Sequence, residues 1–178
     1  MKLFAIRIHV PDVLYDIRNK AWLTARARDT GNNYKQVAYM KPDSEGGDSA
    51  QLLRAVTSAW RRLKPLFAEY LQPGESDTQD DAYVATASVV DAQDDLTELL
   101  YMPETFNEAV CDTVVDTIHK YLVSRSLGEW MRLNVAADAD TYLSEAEVFY
   151  QEIWASLGQR IRPSRPKEAT LNLHRDNN

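Results

Sequence analysis

The most regular pattern of apolar and polar residues runs from Pro103 to Pro163 and predicts two long amphipathic helices. In its first half, apolar residues recur every three or four positions, so they share one face of a helix. That face comprises Phe106, Val110, Val114, Ile118 and Leu122. Thr105 and Glu108 fit a capping box, in which each side chain accepts from an N–H group left unpaired at the helix start. We therefore expect this helix to begin at Thr105.

The second half of this stretch repeats the helical spacing after a short turn. The first helix continues past Gly128, although a kink or break there is an open alternative, because glycine costs about 1 kcal/mol relative to alanine inside a helix. Small residues from Asn134 to Asp140 then predict the turn, and Asp138, Asp140 or Ser144 could cap the next helix. The apolar face of that helix comprises Leu143, Ala146, Tyr150, Ile153 and Leu157, widened by Phe149 and Trp154. Two long helices joined by a short turn predict an antiparallel hairpin.

The N-terminal part of the chain predicts a strand followed by two helices. From Leu3 to Val10 apolar and polar residues alternate, which is typical of a half-buried strand, with a helix as the rival interpretation. Apolar residues then recur at helical spacing from Asp12 to Arg28 and again from about Asp48 to Leu71. Pro65 lies within the second helix and should kink it, because proline removes a backbone hydrogen bond.

Four connecting segments are assigned by their composition. Residues Tyr34–Met40 predict either a short strand or an irregular connection. Residues Pro73–Asp81 are acidic and contain no apolar side chain, so they predict a poorly ordered loop. The β-branched and aromatic residues of Tyr83–Val90 favour a strand, which could pair with the N-terminal strand or with a copy of itself. The acidic segment Asp91–Met102 predicts a further connection, with one helical turn at Leu96–Leu100 as an option.

Together these patterns predict a mainly α fold, a helical bundle of about four principal helices with a minor β component. We expect a single helical-bundle domain over residues 1–158, with an acidic loop at residues 72–82, and an extended basic C-terminal arm over residues 159–178. A length of 178 residues and a hydrophobic content of 44% are ordinary for one globular domain. The arm is expected because two X-Pro steps after Leu157 impose extended geometry. A disordered tail is the alternative.

The net charge of −7 is distributed very unevenly along the chain. Residues 1–64 carry twelve Lys or Arg against six Asp or Glu, a balance of +6. Residues 65–119 carry thirteen acids and no Lys or Arg, a balance of −13. Such segregation can reflect ion pairs within the fold, a solvated acidic loop, or complementary surfaces on neighbouring copies. The acidic middle argues against a specific nucleic-acid ligand.

Basic segments supply the candidate protein-interaction residues. One group lies on the polar side of the helix over residues 12–28, where a solvated face is the alternative interpretation, and the other lies in the C-terminal arm. The candidates are Arg18, Arg26, Arg28, Arg160, Arg162, Pro163, Arg165 and Lys167. Their charge suits acidic surface on a partner or on a second copy of the chain.

Signatures of catalysis or metal binding are weak throughout the sequence. The single cysteine, Cys111, excludes an intrachain disulfide, is compatible with a reducing compartment and lies on an apolar helix face, as expected of a packed thiol. Asp112, Asp116 and His119 share helical spacing and could contribute to a metal site, but they lack the paired ligand spacing of zinc sites. The sequence contains no phosphate-binding glycine loop and no nucleophile turn. We therefore predict no cofactor, no metal, no catalytic residue and no enzymatic activity.

The sequence also predicts a soluble protein that is not exported. Arg7 and His9 interrupt the apolar N-terminal segment, which differs in this respect from a signal peptide. No apolar run approaches the roughly 20 residues that a membrane-spanning helix requires.

Several short motifs of packing residues, spread over most of the chain, carry a family resemblance. They are Val13-Leu14-x-Asp16-x-Arg18-Asn19-Lys20, Met102-Pro103-x-x-Phe106, Tyr121-Leu122-Val123, Leu127-x-x-Trp130 and Arg160-Ile161-Arg162-Pro163. With the order of predicted elements, they resemble a group of small helical proteins encoded in bacteriophages and prophages of gut bacteria. Because the motifs are packing motifs, the resemblance implies no active site.

In outline, such proteins are similar to the head–tail connector (adaptor or neck) proteins of tailed phages. The resemblance implies a non-enzymatic virion structural protein, assembled in the host bacterial cytoplasm. It would be one subunit of a ring of about twelve copies. The ring would link the portal protein to tail or neck proteins, let DNA pass through, and hold its neighbours by extended arms. Two alternatives stay open. One is a soluble phage-encoded regulatory or inhibitor protein that binds a host protein through its acidic region, residues 75–98. The other is a metal-dependent enzyme built on Asp112, Asp116 and His119.

Overall fold

A computed structural model describes residues 1–43, 46–71 and 88–162 of the chain. These residues form two strands and five α-helices. The strands are β1 (Lys2–His9) and β2 (Asp95–Met102), and the helices are α1 (Val10–Ala27), α2 (Tyr34–Met40), α3 (Gly47–Phe67), α4 (Cys111–Asn134) and α5 (Ala136–Leu157). Four helices are long and α2 is short. The prediction of a mainly α fold with a minor β component is confirmed.

The strands β1 and β2 pair as an antiparallel two-stranded sheet, with Lys2 opposite Met102 and His9 opposite Asp95. One face of the sheet is buried, and its apolar residues are Phe4, Ile6, Ile8, Leu96, Leu100 and Met102. The predicted acidic connection with a helical turn at Leu96–Leu100 is therefore wrong. Glu98 lies opposite Ile6 on the inner face, and this acid interrupts the apolar alternation by which a strand is recognised.

The predicted loop Pro73–Asp81 and most of the predicted strand Tyr83–Val90 lie outside the described residues. The last three residues of that strand, Ser88–Val90, are described and form no strand. The Val90 N–H group instead donates to Thr57 Oγ1 of α3 at 3.1 Å. In the described part of the chain, β1 thus pairs with residues that follow the segment predicted as its partner.

The helices α1 and α3 lie close to their predicted positions. α1 begins directly after β1, with Pro11 in its first turn, where a proline breaks no helical hydrogen bond. α3 begins at Gly47, ends at Phe67 and contains Pro65 in its last turn. A single 3₁₀ turn, Ala68–Tyr70, follows. The proline therefore interrupts only the end of α3.

Residues Tyr34–Met40, predicted as a strand or an irregular connection, form the short helix α2 instead. Val37 and Met40, three positions apart, are its buried residues. Trp130 of α4 donates its Nε1–H to the Met40 carbonyl oxygen at 3.0 Å. A seven-residue helix is not stable alone, so packing against α1 and α4 determines the conformation of this segment.

The antiparallel hairpin of α4 and α5 is confirmed by contacts along both helices. The rings of Tyr121 and Tyr150 lie with their centroids 6.0 Å apart, and Ser124 Oγ donates to Glu145 Oε2 at 2.7 Å. α4 continues through Gly128 without a break.

The start of α4 differs from the prediction. The helix begins at Cys111, and a 3₁₀ turn over Glu108–Val110 precedes it. Asn107 caps that turn by accepting from the Ala109 N–H group at 3.2 Å. The predicted capping box of Thr105 and Glu108 is wrong, because both residues precede the helix.

The turn between α4 and α5 is also shorter than predicted. It consists of Val135 alone, because α4 ends at Asn134 and α5 begins at Ala136. No side chain caps the start of α5. Asp138 lies in its first turn, so the predicted caps lie inside the helix.

The core of the protein surrounds α4, which contacts each of the other four described helices and β1. Its fully buried residues include Val114, Ile118, Leu122, Leu127 and Met131. A helix enclosed by its neighbours carries apolar residues on more than one face. Among the described helices, none combines the length and the apolar character needed to cross a membrane.

Candidate protein-interaction surfaces

The basic residues predicted to share one face of α1 leave the helix in different directions. Arg18 is half-buried, and its Nη2 atom donates to Ser49 Oγ of α3 at 3.3 Å. Lys20 Nζ lies 3.8 Å from Glu145 Oε2 of α5. Both side chains therefore contact neighbouring helices of the same chain, and only part of the basic group faces solvent.

Arg28 forms an ion pair with Asp138. Arg28 follows the last residue of α1, and Asp138 lies in the first turn of α5. Each charge thus lies at the helix end where the helix dipole stabilises it. The Asp138 side chain is only 10% exposed, so this arginine neutralises a buried carboxylate. Arg28 has a structural contact within the fold.

Arg26 faces outward beside exposed apolar side chains of α1. Its guanidinium carbon lies 5.2 Å from the ring centroid of Trp22, within the range of a cation–π interaction. Tyr15 and Leu23 are exposed on the same side of the helix. Tryptophan, tyrosine and arginine are enriched at protein interfaces. We call these four residues the α1 outer face.

The start of the predicted C-terminal arm is held against the domain. Arg160 forms an isolated antiparallel β-bridge with Phe106, and the Ile161 N–H group donates to the Thr105 carbonyl oxygen at 2.7 Å. Arg160 Nη1 also donates to the Leu157 carbonyl oxygen at 2.9 Å, which satisfies a carbonyl group left unpaired at the end of α5. The chain therefore leaves the domain from a fixed position.

The remaining candidate residues of the arm follow directly. Arg162, the last described residue, is exposed. Pro163, Arg165 and Lys167 lie outside the described residues. The structure therefore places the exit of the arm and two of its arginines.

A groove that the sequence did not reveal lies between the ends of α3 and α5. Its volume is about 510 Å³. The lining residues include Pro65, Leu66, Glu69, Tyr70, Trp154 and Leu157. We call it the α3–α5 groove.

Trp154 is the residue of this groove that sequence reasoning misplaced. Its spacing suggested that it widens the buried face of α5, but its side chain is 64% exposed. Ile153 and Leu157, four positions apart, occupy the buried face instead. Helix geometry could have indicated the exposure of Trp154, because Trp154 directly follows the buried Ile153 and is rotated from it by about 100° around the helix axis.

Ion pairs within the fold account for part of the charge segregation. Lys2 Nζ lies 2.8 Å from Glu108 Oε1, and Lys64 Nζ lies 3.6 Å from Glu98 Oε2. Each pair joins the basic N-terminal segment to the acidic middle segment. These contacts agree with the first of the three explanations for the uneven charge, namely ion pairs within the fold.

A further pair of this kind lies at one end of the sheet. His9 Nδ1 lies 2.6 Å from Asp95 Oδ1, and Arg7 Nε lies 3.8 Å from Asp95 Oδ2. The hydrogen bond to Asp95, assisted by the charges of Asp95 and Asp12, raises the pKa of His9 above its ordinary value of 6.5. This pair links the two strands where the chain passes from β1 into α1.

Two of the three residues considered for a metal site, Asp116 and His119, have other partners. His119 Nε2 lies 2.8 Å from Asp16 Oδ2 of α1, and Asp116 Oδ2 lies 2.6 Å from Lys120 Nζ. Within the described ranges, no group of three His, Cys, Asp or Glu side chains is placed to hold a metal ion. The geometry of Asp112, Asp116 and His119 therefore gives the metal-enzyme alternative no support.

Cys111 lies half-buried at the start of α4 and packs against the hydrophobic core. Burial raises the pKa of its thiol, and the charges of Glu108 and Asp112 act in the same direction. A raised pKa keeps the thiol protonated at neutral pH, which makes it a poor nucleophile.

Comparison of the chain with protein families, with curated proteins and with solved structures gave no match. Function is therefore inferred from the surfaces of this chain and from the motifs of its sequence.

Proposed function

We propose that the protein is a non-enzymatic structural subunit of a tailed-phage virion, which forms a ring at the head–tail junction. In this role it links the portal protein to the tail or neck proteins. The packing motifs of the sequence support the phage origin. The observation that carries the subunit role is the fixed exit of the basic C-terminal segment.

That exit suits a segment that binds a neighbouring subunit. The bridge between Arg160 and Phe106, with the hydrogen bond from Ile161 to Thr105, gives the segment a defined starting point. A preorganised start reduces the conformational entropy that is lost when the segment binds. The basic residues Arg162, Arg165 and Lys167 follow, and they suit the exposed acids of a partner or of another copy.

A ring also requires a second, different surface on each subunit, because a ring forms through head-to-tail contacts. The α1 outer face is one candidate, since it exposes Tyr15, Trp22 and Leu23 beside Arg26. It belongs to a different element from the C-terminal exit. The chain thus presents two unlike surfaces, as a head-to-tail assembly needs.

The test replaces Arg162, Arg165 and Lys167 with Glu in a phage or prophage that encodes the chain, and leaves Arg160 in place because it contacts the end of α5. We expect the yield of complete particles to fall about tenfold or more, as when an interface loses its main charge contacts, while circular dichroism of the purified variant stays unchanged. The matched control replaces Lys35, Arg54 and Arg132 with Glu. These three residues are exposed on other helices, and the replacement changes the net charge equally.

Quantitative mass spectrometry of particles, scaled to the major capsid protein, completes the test. A fixed low copy number comparable to that of the portal agrees with the proposal. A normal yield with the arm variant, or a copy number in the hundreds, contradicts it.

A second candidate is a soluble phage-encoded regulator that binds a host protein through its acidic region. The observation in its favour is a tight turn before β2, in which the exposed residues Asp91 and Asp94 are joined by a hydrogen bond from Asp94 N–H to the Asp91 carbonyl at 3.2 Å. Presence of the protein in infected cytosol, with complete absence from particles, would favour this function.

A further inference from the structure

The α3–α5 groove combines an exposed aromatic wall with a negative charge. Trp154 from α5 is 64% exposed, and Pro65, Leu66 and Tyr70 line the opposite side. Among the described residues that line the groove, Glu69 is the one with a charged side chain, and it is exposed. Tyr70 is held in place, because its hydroxyl group donates to the Leu157 carbonyl oxygen at 3.5 Å.

Grooves of this composition suit proline-rich segments. A segment in the polyproline II conformation has little entropy to lose on binding, and its prolines pack against exposed aromatic rings. The chain itself contains a proline-rich sequence, in which Pro163 and Pro166 form a P-x-x-P motif. Arg165 and Lys167 lie beside these prolines and are complementary in charge to Glu69.

We propose that the α3–α5 groove binds the Pro163–Lys167 segment of a second copy of the chain. Trp154 and Tyr70 pack against the prolines, and Glu69 pairs with Arg165 or Lys167. The inference rests on the proposed function, in which the C-terminal segment joins neighbouring subunits. It adds the site on the neighbour that receives the segment.

The direction of the chain at its exit favours a second copy over the same molecule. Gln159 borders the groove, but the antiparallel bridge of Arg160 with Phe106 directs the following residues along the segment that precedes Phe106. Arg162 and Arg165 precede prolines, which favours extended backbone at both. To occupy its own groove, the segment would have to reverse within the three residues that separate Gln159 from Pro163.

The proposed segment follows the fixed exit directly, because Pro163 is the next residue after Arg162. The five residues from Pro163 to Lys167 span about 17 Å when extended. The exchange therefore requires the groove of the neighbouring copy to lie beside the exit of the first copy, within that distance.

The experiment measures self-association of the full chain by analytical ultracentrifugation over a concentration series. We expect Trp154→Ala to weaken self-association at least about tenfold, as for an aromatic residue at the centre of an interface. The matched control is Val148→Ala, because Val148 lies on the same helix, is 57% exposed and does not line the groove. This control should associate like the wild type.

Charge exchange gives an independent readout. The single variant Glu69→Arg should weaken self-association. The double variant Arg165→Glu, Lys167→Glu should weaken it as well. Self-association should return when all three replacements are combined in one chain. Pro163→Ala with Pro166→Ala, which leaves every described element unchanged in sequence, should weaken it as well. Tryptophan fluorescence of the wild type should depend on protein concentration, and this dependence should be absent from the Trp154→Ala variant, which keeps the other three tryptophans.

Three outcomes would overturn the inference. The first is equal self-association of the Trp154→Ala and Val148→Ala variants. The second is failure of the charge exchange to restore association. The third is a wild type that stays monomeric while the proline replacements change its fluorescence, since the segment would then bind its own molecule. Absence of the protein from particles, with groove-dependent self-association intact, would contradict the proposed virion function alone.

Discussion

Gly128 of α4 lies directly against Leu143 of α5. A Cβ atom at position 128 would come within 2.8 Å of both Leu143 Cγ and Leu143 Cδ2, and within 3.3 Å of the Leu143 backbone nitrogen. The glycine therefore allows the two longest helices to approach closely near their connection. The sequence left a kink or break at this position as an alternative, whereas the structure shows a continuous helix and a packing contact.

Replacing Gly128 with Ala should destabilise the protein by about 1–2 kcal/mol. Overpacking of this kind costs about 1–3 kcal/mol, which outweighs the gain of up to about 1 kcal/mol in helix propensity. Urea unfolding measures the change. Gly158→Ala is the control, since its Cβ would come no closer than 3.4 Å to the Ala155 carbonyl oxygen and 3.7 Å to the Trp154 carbonyl oxygen. A stabilised Gly128→Ala variant would contradict the contact.

The pair of Arg28 and Asp138 should respond unequally to loss of either partner. Arg28→Met leaves a carboxylate that is 10% exposed without its cation, so we expect a loss of about 2–3 kcal/mol. Asp138→Asn leaves an arginine that is 47% exposed and can be hydrated, so we expect about 1 kcal/mol. Thermal unfolding of both variants measures the difference. The control Arg26→Met, at an exposed position of α1, should have little effect on stability. Equal losses of stability in the Arg28→Met and Asp138→Asn variants would contradict the expected difference.

The pair of His9 and Asp95 should make stability depend on pH. The pKa of His9 is raised in the folded protein above its ordinary value of 6.5. Protonation therefore favours folding, and its contribution is complete below pH 6.5 and is lost as the pH rises through the raised pKa. We expect the Tm difference between wild type and His9→Gln to shrink over this interval. A Tm difference that grows with pH would contradict the conclusion that protonated His9 stabilises the folded protein.

Trp130 should hold α2 on the domain through its hydrogen bond to the Met40 carbonyl oxygen. Trp130→Phe keeps an aromatic ring but removes the buried donor, so we expect a loss of about 1–3 kcal/mol. Hydrogen exchange in Tyr34–Met40 should be faster in the Trp130→Phe variant than in the wild type, and this increase should be larger than the increase in α5. Trp154→Phe, at an exposed tryptophan, is the control for the loss of an indole. Unchanged exchange in α2 would show that other contacts suffice.

The parts of the fold that the sequence predicted best are those in which one helix face is buried. The hairpin of α4 and α5, the position of α1 and the burial of Leu52, Val56, Leu63 and Phe67 in α3 follow from apolar spacing. β1 was predicted from its alternation, with a helix as the rival interpretation, and the structure confirms the strand.

The failures come from residues whose environment is set by distant parts of the chain. β2 was hidden because Glu98, on its inner face, is stabilised by Lys64 of α3. α2 was hidden because its conformation depends on packing against α1 and α4. The α3–α5 groove was hidden because Trp154 lies next to the buried face of its helix, and only the position of α3 shows that it remains exposed.

The pairing of β1 with β2 sets the order of events while the chain is made on the ribosome. β1 is synthesised first, but its partner begins only at Asp95. At bacterial and eukaryotic translation rates, that delay is about 5–20 s. During this time Phe4, Ile6 and Ile8 have no strand to pair with and are accessible to chaperones, and α4, which completes the core, emerges later still. The earlier strand of the pair is thus among the last of the described elements to reach its final place.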